Sequence, residues 1–179
     1  AFHTAIQAAK EKGGVVWVPA GTYNITQSIE IPDGVTLMGD FAPPDENGAH
    51  GTLLKIFAEP ASEANDTAAF RMMAGSALKG MTIWYPEQKL AAGKATPYPY
   101  TIEMMEQQGI TLENLYLVNS YQGIKMGSNV NALQTLRNIY GTTLKTGMYI
   151  DHNVDIARFE NINLSIDWWL NSKLPGAPS

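Results

Sequence analysis

Apolar residues recur along this chain with two different periods. Over residues 2–12, Phe2, Ile6 and Ala9 fall at helical spacing and Gly13-Gly14 stops the pattern, which predicts one short amphipathic helix. Beyond it the period is two: Val16 and Val18, Tyr23 and Ile25, Ile29 and Ile31, Val35 and Leu37, punctuated by Pro19-Ala20-Gly21 and Pro32-Asp33-Gly34. These are short strands. Residues 41–50, with Pro43, Pro44, Asp45, Asn47 and Gly48, read as a loop, after which Leu53, Leu54 and Ile56 resume the strand pattern. Two further loops are expected, over 59–66 and over 86–99, the second rich in Pro, Ala and Gly.

An internal repeat carries more information than the strands themselves. Leu78-Lys79-Gly80-Met81, Leu112-Glu113-Asn114-Leu115, Leu136-Arg137-Asn138-Ile139 and Phe159-Glu160-Asn161-Ile162 align, and the last three begin 24 and 23 residues apart (112, 136, 159). The first interval is 34 (112 − 78), and the extra residues fit within the 86–99 loop. A second repeat interleaves with it: Phe70-Arg71-Met72, Ile102-Glu103-Met104, Ile124-Lys125-Met126 and Met148-Tyr149-Ile150. Each period therefore holds two or three short strands, the content of one coil of a solenoid.

The third position of the first repeat, Gly80, Asn114, Asn138 and Asn161, holds the two residue types that enter the left-handed backbone region at least cost. One such residue between two strands makes a corner without a loop. The apolar residues on either side then point into one core, stacked at about 4.8 Å per rung. At the second position Lys79, Glu113, Arg137 and Glu160 alternate in sign, as an outward ladder requires where like neighbours repel. The fold class expected is all-β, a right-handed parallel β-helix, in one domain over 1–179: a helix over 1–12, coils over 15–170, an inserted loop over 86–99 and a tail over 171–179.

Composition narrows the chemistry. The chain has 179 residues and a net charge of −5, and its twelve Lys and Arg residues are scattered, so nucleic acid is not an expected partner. No cysteine is present, which removes disulfides, thiolate metal sites and a thiol nucleophile. No apolar run approaches the ~20 residues of a transmembrane helix, and no membrane partner is expected. His3, His50 and His152 are too dispersed for a zinc motif, and phosphate-binding glycine loops and a Gly-x-Ser-x-Gly elbow are absent. Asp151, Asn153, Asp155 and Asp167 offer oxygen ligands for calcium, but at no spacing of a dedicated calcium loop, so no cofactor is expected.

The opening Ala1-Phe2, Ala5-Ile6 and Ala8-Ala9, the run Gly13-Gly14-Val15-Val16-Trp17-Val18-Pro19-Ala20-Gly21-Thr22-Tyr23, and Ile31-Pro32-Asp33-Gly34-Val35-Thr36-Leu37 with Gly39-Asp40 resemble the pectate-lyase-like β-helix proteins. That family includes polygalacturonases, pectate lyases, alginate epimerases and phage tailspikes. The resemblance implies that the first helix is a cap and the next segment the entry into the first coil. It also implies a secreted or cell-surface carbohydrate-active protein whose partner is a polysaccharide or oligosaccharide, acted on as a lyase or glycoside hydrolase. Members commonly carry a Gly- and Asp-rich segment before the cap and further coils after the fourth. On that comparison the chain is expected to be part of a longer protein, with acidic catalytic residues on later coils.

Substrate in such proteins lies along the outer face of one strand stack. If the Phe70 to Met148 strands form it, Arg71, Glu103, Lys125 and Tyr149 point outward and Asp151-His152 follow directly. Glu103, Lys125, Asp151 and His152 are then candidate catalytic residues: a lyase needs a base for the C5 proton and a cation for the enolate, an inverting hydrolase two carboxylates about 6.5–9.5 Å apart. The alternative is a second ladder of solvated charges. Trp84, Tyr85, Tyr121, Trp168 and Trp169 are expected to edge the same side and, with Tyr149, to bind sugar rings by stacking. For Trp84 and Tyr85 the alternative is burial beneath the 86–99 loop, which carries Tyr98. A non-catalytic glycan-binding or structural β-helix module is the competing function. A leucine-rich-repeat-like interaction solenoid fits less well, because each coil here carries two separate strand motifs.

Overall fold

A computed structural model describes residues 2–45, 48–58, 60–61, 65–105, 108–127 and 130–178, the side chains of Pro43 and Pro44 excepted. Helix α1 (Phe2–Lys10) opens the chain and is followed by β1 (Gly14–Val18), β2 (Gly21–Ile25), β3 (Ile29–Ile31), β4 (Val35–Gly39), β5 (Phe41–Asp45), β6 (Gly48–Ile56), β7 (Phe70–Met72) and β8 (Ala77–Trp84). Then come β9 (Leu90–Ala91), β10 (Lys94–Ala95), β11 (Tyr100–Met104), β12 (Thr111–Met126), β13 (Thr135–Ile150), β14 (Arg158–Leu164) and α2 (Asp167–Leu170).

The strands stack in parallel on three faces, which makes the chain a parallel β-helix. On the first face Val16, Leu37, Leu78, Leu112, Leu136 and Phe159 are in register. The second face aligns Tyr23, Leu54, Ile83, Leu117, Gly141 and Leu164. On the third, Ile29, Phe70, Ile102, Ile124 and Met148 align. Both sequence repeats therefore sit in the register their alignment predicts, and Val16 and Leu37 extend the first repeat by two coils.

Between the first and second faces the corner is as the residue types dictate. Gly80, Asn114, Asn138 and Asn161 have φ of 71°, 53°, 54° and 54°. The asparagines form a ladder: Asn138 Nδ2 donates to Asn114 Oδ1 at 2.8 Å, and Asn161 Nδ2 to Asn138 Oδ1 at 2.9 Å. Beside it, Lys79 pairs with Glu113 at 3.1 Å, and Arg137 Nε donates to the same carboxylate at 3.0 Å. The hydrogen bond from Arg137, helped by Lys79, holds the Glu113 carboxyl below its usual range.

The core fills the coil interior with aliphatic side chains from all three faces, and Ile6 of α1 closes its first turn with Phe2 set edge-on to Tyr23 at 5.7 Å. A second apolar cluster lies outside the coil. Strand residues alternate sides, so Leu53, Trp84, Tyr116 and Val118 face outward from the second stack. They are covered by Phe41 and Ala49 of β5 and β6, by Trp168 and Trp169 of α2, and by Leu174 and Ala177 of the tail. This corrects the loop expected over 41–50: β5 and β6 pair antiparallel as a hairpin, and the outward apolar face of the coil is what it folds against. Residues 46 and 47 lie outside the described residues. The 86–99 insertion likewise contains the small antiparallel pair β9–β10, pinned by Gln88, whose Oε1 accepts from Thr96 N at 2.8 Å.

Candidate functional site

On the third face the outward residues Arg71, Glu103, Lys125 and Tyr149 stand in one column. Arg71 pairs with Glu30 at 3.2 Å and Lys125 with Glu103 at 2.7 Å. The hydrogen bond to Glu103 raises the Lys125 pKa, so this ammonium stays charged. Tyr149 donates its hydroxyl proton to Asp151 Oδ2 at 3.1 Å, which raises its own pKa and keeps it a neutral phenol. The other oxygen of Asp151 lies 2.8 Å from His152 Nδ1 and accepts the His152 backbone N–H at 2.9 Å. His152 has φ of 48°, an uncommon value for a non-glycine residue. The face thus holds three groups: the paired Glu30–Arg71, the paired Glu103–Lys125, and a connected Tyr149–Asp151–His152 trio.

The expected aromatic row is not formed. Tyr85 points into the coil interior, its ring 4.9 Å from Tyr98 and its hydroxyl 3.1 Å from Thr101 Oγ1, and burial pushes its phenol well above the usual range. Trp84 faces the other way but is buried in the satellite cluster, with Lys55 Nζ 5.5 Å from its ring centroid. Trp169 is fully buried in that cluster as well. Trp84 ends β8 and Tyr85 follows it, and the two side chains pack in the clusters on opposite sides of the coil wall, so they do not share a groove. Tyr121 is half-buried against the main core beneath Lys145, 5.5 Å away. Of the five, Trp168 is the one that lines a cleft.

That cleft, of about 580 Å³, lies between the β5–β6 hairpin and α2 and is lined by Asp45, Tyr116, Asn163, Ser165, Asp167, Trp168, Asn171 and Lys173. Every element edging it is held in place. The hairpin is tied to the segment after α2 by Ala49 N donating to Ser172 O at 3.2 Å, and Trp169 N donates to Thr142 Oγ1 at 2.9 Å. Trp168 Nε1 donates to Asn163 Oδ1 at 3.1 Å, and its ring meets Tyr140 at 5.3 Å and Tyr116 at 6.0 Å, both edge-on. The Tyr116 hydroxyl donates to the Trp168 carbonyl, and burial lifts its pKa above the phenol range. Asp167 Oδ2 accepts from Ser165 Oγ at 2.9 Å, and Asp45 Oδ1 lies 3.3 Å from His50 Nε2. One concavity thus presents an indole, two carboxylates, an ammonium and several amide and hydroxyl groups, a mixture suited to sugar C–H faces and hydroxyls.

Sequence reasoning missed Asp45, Tyr116, Asn163, Ser165, Asn171 and Lys173 as site residues and named Asp167 only as an oxygen ligand for calcium. The sequence carried little signal for them: Phe41 and Ala42 are adjacent apolar residues followed by Pro43-Pro44, which masks the hairpin that brings Asp45 to the cleft.

Residues 1–73 match the family described as Rhamnogalacturonase A/epimerase, pectate lyase-like. The N-terminal portion of the chain is pectate-lyase-like. That portion contains α1, the first two coils and the hairpin carrying Asp45; the other cleft residues follow it in the chain. No curated protein and no solved structure matches the chain. Among the described residues, no three acidic or histidine side chains gather where they could hold a metal, and no helix is long and apolar enough to cross a membrane.

Proposed function

We propose that this pectate-lyase-like chain is a carbohydrate-active β-helix protein that seats a polysaccharide segment in the cleft between the hairpin and α2 and hydrolyses it there. The observation that carries the reading is the lining: the half-buried Trp168 shares one concavity with Asp45 and Asp167. Trp168 is the stacking platform, and its hydrogen bond to Asn163 fixes the ring plane. Hydrolysis needs one carboxyl group to protonate the leaving oxygen and a second to activate water or attack carbon. Asp45 and Asp167 take those two roles. The family description names a rhamnogalacturonase, so rhamnogalacturonan is the first substrate to offer.

A second reading follows from the Tyr149–Asp151–His152 trio. A carboxylate on Nδ1 orients an imidazole as a general base, which is what elimination requires, with Lys125 as the nearby cation.

One experiment addresses both. With polymeric rhamnogalacturonan, the parent is expected to release new reducing ends. Asp167→Asn is expected to lower the rate at least ~100-fold, the lower range for a general acid or base, while retaining binding. Trp168→Ala is expected to weaken binding roughly three- to tenfold. Products with unsaturated ends, lost in His152→Ala and kept in Asp167→Asn, establish the second reading instead. A parent with no affinity for the polymer overturns both.

A further inference from the structure

The outer face of the first stack carries an apolar patch that the coil itself does not use. Trp17 is 50% exposed and Val15 61%, and Met38 is exposed beside them. Trp17, Met38, Lys79, Glu113 and Arg137 occupy one outward column, because their strands pair in that register. Trp17 and Met38 line a shallow groove with Asp40, Lys79, Glu113 and Phe41. An indole left half in water on a sheet face forgoes about half of the stabilisation its full burial would bring. Its polar surroundings are fixed, since Glu113 is held by Lys79 and Arg137, and Asp40 accepts the Ala20 N–H at 2.9 Å.

We propose that this groove is a second saccharide-binding subsite, remote from the cleft and serving the same polysaccharide chain; the inference rests on the saccharide reading of the cleft. Three observations identify the occupant. First, the apolar patch is three side chains wide, far below the roughly 20–30 residues a side of a stable protein interface, yet ample for one or two sugar rings. Second, the groove is lined by fixed charges of both signs, Lys79 beside Glu113 and Asp40, so it offers a donor to the carboxylate or hydroxyl groups of an acidic sugar and acceptors to its hydroxyl groups. Third, the groove is linked to the cleft by aromatic rings. Phe41, in its wall, stacks on Tyr140 with centroids 6.5 Å apart and planes 13° apart, and Tyr140 meets Trp168 of the cleft at 5.3 Å. Phe41 thus borders the groove that holds Trp17 and packs on the ring that meets Trp168, which sets the groove and the cleft on either side of one aromatic contact. A polymer spanning both ends gains affinity through the second contact becoming intramolecular.

The test compares rhamnogalacturonan tetrasaccharide with the polymer, by calorimetry on the full chain. Trp17→Ala is expected to leave tetrasaccharide affinity and melting temperature unchanged, because the side chain is exposed, and to weaken polymer affinity about three- to tenfold. Trp17→Phe is expected to recover most of the loss. Equal polymer affinity in Trp17→Ala and the parent overturns the subsite while leaving the cleft reading intact. If Trp17→Ala weakens the tetrasaccharide as much as the polymer, the subsite is not separate and the proposal also fails. A parent that binds neither sugar removes the cleft reading and this inference with it.

Discussion

Replacing Gly80 by asparagine, the residue its three equivalents carry, is expected to destabilise the fold by about 3 kcal/mol, at the upper end of overpacking costs. The repeat alone recommends the change, since Asn114, Asn138 and Asn161 occupy the same corner and asparagine accepts the left-handed conformation. The obstacle is the neighbouring coil. A Cβ at Gly80 would lie 2.4 Å from the Gly39 carbonyl oxygen, and one at Gly39 2.6 Å from that of Gly80, so two backbones meet where no side chain can rotate away. Gly93 provides the control: its φ is 74° and a Cβ there meets nothing within 4 Å. Gly93→Asn should cost less than about 1 kcal/mol, the scale of a surface change. Urea denaturation of the two variants checks the account, and equal midpoints would contradict it.

Asn138→Leu is expected to cost a further large amount, about 3 kcal/mol, for two separable reasons. The left-handed φ of 54° costs an ordinary residue roughly 1–2 kcal/mol. The two amide hydrogen bonds, to Asn114 and from Asn161, contribute about 1 kcal/mol each. Asn138→Gly relieves the backbone and removes only the ladder, so it should cost about half as much, about 1–2 kcal/mol. If the two variants unfold at the same urea concentration, backbone conformation does not set the corner. If Asn138→Gly is neutral, the ladder contributes nothing.

These corners were readable because they depend on local chemistry. A left-handed residue between two inward apolar residues recurs every 23 or 24 positions, and Leu112, Leu136 and Phe159 fall into register without knowledge of anything distant. The first two coils hid the same repeat because Leu37 and Leu78 are 41 positions apart (78 − 37), with the hairpin and β7 between them. The candidate site was less legible for the same physical reason. Asp45 comes from the hairpin, Tyr116 from β12, Asn163 from β14 and Lys173 from the tail, and only the satellite cluster outside the coil brings them together. Trp168, expected from its type to stack on sugar, lines the cleft, whereas its neighbour Trp169, for which the same was expected, is buried by the helix turn that exposes Trp168. Glu103 and Lys125 were read in the correct outward column, and their 2.7 Å pairing makes each the other's partner.

The central claim is that saccharide binds on Trp168, and the four indole N–H resonances of the protein test it directly. In a titration with rhamnogalacturonan tetrasaccharide, the Trp168 resonance is expected to move with saturation. Those of Trp84 and Trp169, both buried, should stay in place and act as internal references. A titration that saturates while Trp168 remains fixed, or one in which none of the four resonances moves, contradicts the account.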